Sequence, residues 1–150
     1  MNLKIEIGPD FSEEVILRAP EMNERVLRIQ QALNNAVSRT GEIALRLDDG
    51  EIYIPYSALI YFDVEDDRVW AHDCFKRYIC PVRLNQLSDI LPANFTRASK
   101  SLIVNTARIK SITRFPTGLA QATFDDSQKV VYISCMYYKT VRKIIEETRL

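Results

Sequence analysis

The sequence predicts an α+β fold, mostly antiparallel β, and three observations carry that expectation. Apolar and polar residues alternate with period two over much of residues 42–134. Pairs of acids, Asp48-Asp49, Asp66-Asp67 and Asp125-Asp126, separate the alternating runs as hairpin turns would. Two stretches change to helical period, one near each end of the chain.

In chain order, residues 3–7 alternate as a strand and residues 14–18 read as a second. Pro20 suits the first turn of a helix, where its missing N–H costs nothing. Met22, Val26, Ile29, Leu33 and Val37 follow at spacings of three and four, one apolar stripe on a helix over 21–38. Gly41 stands just past its end. Residues 42–47 and 51–54 flank Asp48-Asp49-Gly50 as a hairpin. Residues 58–62 continue the β pattern, Glu65-Asp66-Asp67 turns the chain, and residues 68–72 and 76–80 follow as strands. Leu84, Leu87, Ile90 and Leu91 make a short helix that Pro92 ends. Strands are expected around 101–104, 109–115, 119–124 and 129–134. Residues 137–149 form a terminal helix on Tyr138, Val141, Ile144 and Ile145. The organisation expected is an extension over 1–40, strand-strand-helix, followed by a β domain over 41–150.

Composition excludes several classes. The 150 residues are 47% hydrophobic and 27% charged, ordinary for one globular domain. Cys74, Cys80 and Cys135 are odd in number and form no CxxC pair, so neither a disulfide framework nor a zinc site is expected. The first ten residues lack a signal-peptide run and no apolar run approaches a membrane span, so a cytoplasmic chain with reduced thiols is expected. His72 is the only histidine. Asp63, Glu65, Asp66 and Asp67 match no calcium-loop spacing, and there is no glycine-rich phosphate loop. No enzyme, catalytic residue, metal or cofactor is expected.

Charge points elsewhere. The chain is neutral in total, with 20 bases and 20 acids. Yet residues 41–96 hold five bases against ten acids, while 97–114 hold Arg97, Lys100, Arg108, Lys110 and Arg114 and no acid. A local cluster of this kind suits a polyanion, of which nucleic acid is the commonest.

Three segments resemble the LytTR DNA-binding domain family. Residues 58–65 are similar to its strand before an exposed turn. Phe95, Arg97, Ser101, Ile103-Val104-Asn105, Ile109 and Ile112 stand at the spacing of its signature. Val131, Ser134 and Tyr137 lie near its motif leading into the last helix. The resemblance implies a mostly β bacterial transcription regulator that reads successive major grooves of promoter direct repeats with loops. It implies DNA contacts at Arg68, at the loop Arg97, Ser99, Lys100 and Ser101, and at the turn into the last helix. There Cys135 and Met136 stand where the family has arginine; Lys139 and Lys143 supply charge without a bidentate fork. Arg108 and Lys110 complete the expected surface. Asn105 reads as a strand-end amide that satisfies backbone groups. The resemblance also implies a small membrane protein as restraining partner. The apolar stripe of 21–38 points to a homodimer, or else packs on its own β domain. The alternative function is a protein-interaction or dimerisation module with weakened DNA binding.

Overall fold

The computed structural model describes residues 3–11, 14–38 and 41–148, and the side chains of these except 34–38. After the helix α1 (Glu24–Ser38) come the strands β1 (Glu42–Leu47), β2 (Gly50–Pro55), β3 (Tyr61–Glu65), β4 (Arg68–His72) and β5 (Arg77–Cys80). The short helix α2 (Leu84–Ile90) leads to β6 (Phe95–Ser99), β7 (Leu102–Asn105), β8 (Ile109–Arg114), β9 (Ala120–Phe124) and β10 (Val130–Ile133), and α3 (Cys135–Thr148) ends the chain. Seven strands form one sheet in the order β2-β1-β5-β4-β3-β7-β6, and β10-β9-β8 form a second. Every pairing is antiparallel.

Period-two alternation divides the large sheet into two faces. Phe62, Ala71, Tyr78 and Ile103 face a core closed by Leu84, Leu87 and Leu91 of α2 and its end. Tyr61, Leu102 and Val104 face a second core with Ala122 and Phe124 of the small sheet and Val141 of α3. Burying such side chains stabilises by about 1.5–3 kcal/mol each. The Glu65–Arg68 hairpin turns through Asp66 and Asp67, both left-handed at φ 53° and 60°, the conformation a two-residue hairpin of this hand requires.

Two expectations fail in the extension, and one fails beyond it. Residues 3–7 and 14–18 are not strands: none of the described residues supplies them a ladder, and Leu3 and Ile7 stand 89% and 92% exposed. Alternation alone does not make a strand whose N–H and C=O groups have no partner. The first helix starts at Glu24 and not at 21, because the Asn23 side chain accepts from the Val26 N–H at 3.0 Å and caps it there. Of its stripe, Val26 is buried, Ile29 and Leu33 are half-buried and Met22 is exposed; the Val37 side chain lies outside the described residues. Of residues 97–101, expected as a loop, Arg97 to Ser99 belong to β6, which pairs with β7. Thr96 and Arg97 conceal the strand, because both are polar and only half-buried at an edge.

Candidate nucleic-acid interface

Register decides which turns meet. Asp63 pairs with Leu102 and the Val64 N–H donates to Ser101 O at 3.2 Å, so the β6–β7 turn lies beside the β3–β4 turn. On the other side of β6, the Ser134 N–H donates to Ala98 O at 2.8 Å, so α3 starts next to the same turn. Three segments distant in sequence thus share one end of the fold: Glu65–Arg68, Ser99–Ser101 and Ser134–Met136.

The β6–β7 turn is built from within. Arg97 Nη1 donates to Lys100 O at 2.5 Å and Nη2 to Asn85 Oδ1 at 2.7 Å, which ties the turn to α2. Ser99 Oγ accepts from the Ser101 N–H at 3.3 Å. Arg97 and Ser99 therefore shape the turn, and the Lys100 side chain and Ser101 are presented at its exposed tip. The partners of Arg97 in this turn are thus an amide oxygen and a backbone carbonyl.

Arg68 is exposed on the neighbouring turn. It lines an open groove together with Arg46, Arg83, Asp48 and Asp67. Arg46 and Arg83 were not foreseen as neighbours of Arg68, because their approach depends on how β1 and the β5–α2 connection lie across the sheet. Lys139 and Lys143 are exposed along α3, with Lys143 Nζ 4.0 Å from Glu147.

Arg108 and Lys110 stand apart from this end. Arg108 follows β7 at its far end, where Nη1 donates to Ser57 O at 2.7 Å and Nη2 to Cys74 Sγ at 3.1 Å. Lys110 is exposed near the start of β8. Arg114, at the other end of β8, lies with its guanidinium 4.3 Å over the Tyr138 ring. The signature Asn105 is 1% exposed: Nδ2 donates to Leu59 O at 2.8 Å, and Oδ1 accepts from Asn94 Nδ2 and the Ala107 N–H. It closes the end of β7.

His72 is buried between the sheets, stacked on Tyr61 at 4.1 Å. Its Nε2 lies 2.8 Å from Asp63 Oδ1 and its Nδ1 3.1 Å from Lys129 Nζ. His72 thereby links Asp63 of the large sheet to Lys129, the residue before β10 of the small one. Burial lowers the Lys129 ammonium from its ordinary value, against the attraction of Asp73 and Asp63. Burial also raises Tyr61, with a further push from Asp63, to about 12. No set of three or more metal-ligating side chains gathers among the described residues, and none of their helices is long and apolar enough to cross a membrane.

The molecule is an α+β module of two antiparallel sheets that brings Arg68 and Lys100 to one end, Arg68 on a turn it shares with Glu65, Asp66 and Asp67. The LytTr DNA-binding domain matches residues 49–146, and the chain belongs to that family. It is 30% identical over 144 residues to an uncharacterized HTH-type transcriptional regulator of Staphylococcus aureus strain NCTC 8325, covering 95% of this chain and 97% of that one. A counterpart in strain MRSA252 is 29% identical over the same length. The fold is also that of a LytTr DNA-binding domain of a putative methyl-accepting/DNA response regulator from Bacillus cereus, with TM-score 0.65 and 24% identity over 70% of this chain and 96% of that one. Membership makes the chain a DNA-binding regulator.

Proposed function

We propose that this chain regulates transcription by binding promoter DNA sequence-specifically, with the turns at one end of its β domain entering the major groove. The observation that carries the reading is the convergence of Arg68, Lys100 and the start of α3 at one end, from three distant segments. Lys100 and Arg68 reach phosphates or guanine edges, Ser101 donates to a phosphate, and Lys139 and Lys143 follow the backbone along α3. Arg97 and Ser99 act by holding the Lys100 turn. Such a protein works in the cytoplasm, where the chromosome lies.

The division at residue 40 fits the same reading. Both cores are built from residues 43–141, and residues 3–27 expose Leu3, Ile5, Ile7, Phe11, Val15, Ile16 and Met22. Apolar surface of that extent calls for a partner, and a second copy of the chain would place two β domains on tandem repeats.

Selection of duplexes from a random-sequence library, followed by mobility shift at increasing salt, tests the proposal. Enrichment of a motif, with affinity falling steeply as salt rises, is the expected result. Binding that enriches no sequence would leave the chain a protein-interaction module.

A further inference from the structure

We infer that Met136 reads the methyl group of a thymine, an apolar base contact at the start of α3. The inference rests on the proposed DNA reading and assigns base preference within it.

Two residues open α3, and their surroundings differ. Gly118, at φ 93°, turns the β8–β9 hairpin against Cys135, so closely that a Cβ there would stand 2.8 Å from Cys135 Sγ. Cys135 touches that hairpin with its short side chain and is itself exposed. Met136 is 76% exposed.

The helix carries Met136 on a defined stripe. Tyr138, Val141 and Ile145 pack on the second core. Met136, Lys139 and Lys143, at spacings of three and four, lie on the opposite side. Lys139 and Lys143 recede along the helix by one and two turns, while Met136 stands in its first turn, two residues after Ser134, whose N–H donates to Ala98 O of β6. A stripe with an apolar tip and two lysines behind it suits a groove floor at the tip and phosphates along the wall. Phe115 and Leu119, partly exposed on the hairpin that touches Cys135, extend the apolar character of the tip.

Chemistry then selects the ligand. The major-groove edges of the bases carry donors, acceptors and a single apolar group, the thymine C5 methyl. A flexible thioether side chain has no hydrogen bond to give a guanine, and gains by covering that methyl and excluding water from it.

The experiment uses the full-length chain and the duplex enriched from the random library, resynthesised with each thymine in turn replaced by deoxyuridine. The loss of one methyl at one position should weaken wild-type binding about fourfold, the worth of a single buried methyl. Met136→Ala should bind thymine and uracil duplexes equally at that position, and Met136→Leu should keep the preference. If Met136→Ala retains every thymine preference of the wild type, or the wild type shows none, the inference is overturned and the DNA reading stands. If the library yields no motif, the DNA reading falls and the inference with it.

Discussion

The Arg97 guanidinium donates to Asn85 Oδ1 at 2.7 Å and, with its other arm, to Lys100 O at 2.5 Å. One side chain thereby fixes the β6–β7 turn to α2. Arg97 is thus placed to act on DNA through the geometry of Lys100, and two substitutions separate the roles. Arg97→Lys keeps the charge and loses the planar fork. It should weaken binding by about 1–2 kcal/mol and leave the salt dependence unchanged. Lys100→Ala should lower the slope of log affinity against log salt by about 0.9, the worth of one phosphate contact, with the fold unaffected. Fluorescence anisotropy on the selected duplex from low to moderate salt measures both. A reduced slope in Arg97→Lys would put Arg97 itself on a phosphate.

Asn105 separates signature from contact. Its buried amide serves Leu59 O, Asn94 and the Ala107 N–H. Asn105→Ala leaves these groups unpaired, at a cost of about 2–3 kcal/mol. Urea unfolding should show that loss in full. DNA affinity of the folded fraction should stay within a factor of about two. A stable variant with lost binding would make Asn105 a DNA contact.

Much of this fold was legible because period and punctuation agree. The runs around Asp48-Asp49, Asp66-Asp67 and Asp125-Asp126 alternate and turn as read, and Asp48, Asp66, Asp67 and Asp126 hold the left-handed backbone that Asp tolerates. The helix ended by Pro92 and the terminal helix followed from threefold and fourfold spacing. Illegible were features set by distant partners. Residues 3–7 alternate like a strand, yet a strand exists only by its neighbour. Arg108 belongs to a basic run, yet it is spent on Ser57, 51 residues away. The segment Phe95–Ser99 forms an edge strand whose half-buried Thr96 and Arg97 masked the alternation.

Asp73 couples the β4–β5 loop to pH. Burial would raise its carboxyl, but the N–H groups of Lys76 and Phe75, the Tyr78 hydroxyl and Lys129 together hold it below the ordinary value. A carboxyl lowered on folding adds stability that is complete above the unfolded value of about 3.9 and is lost as pH falls through the folded one. The wild type should therefore lose stability below about pH 4, in part through Asp73. Asp73→Asn keeps an oxygen to accept from both N–H groups and removes the charge. Its urea midpoint should fall less between pH 4 and pH 2.5 than that of the wild type, by below about 1 kcal/mol because the group is partly solvated. Burial and then Asp73 raise Tyr78 to about 12, so the same variant should let Tyr78 ionise at lower pH in an absorbance titration. Parallel acid curves for the two proteins would remove Asp73 from the account.

The extension makes the last test. Among the described residues, neither core draws a side chain from the segment before Gly41. Leu3, Ile5, Ile7, Phe11, Val15 and Ile16 are each at least 60% exposed in the single chain. Water-exposed apolar surface costs about 25 cal/mol per Å², so association that covers these side chains is favoured. A chain starting at Gly41 keeps both cores and should fold with nearly the urea midpoint of the full-length protein. It should sediment as a monomer where the full-length protein sediments as a dimer. On a duplex carrying two direct repeats, the full-length protein should bind more tightly than the shortened one, since the second domain binds as a tethered neighbour at high effective concentration. On a single half-site the two should bind alike. If both sediment as monomers and bind the tandem site equally, the extension does not join two copies. If the shortened chain unfolds, its helix belongs to the β domain's own packing.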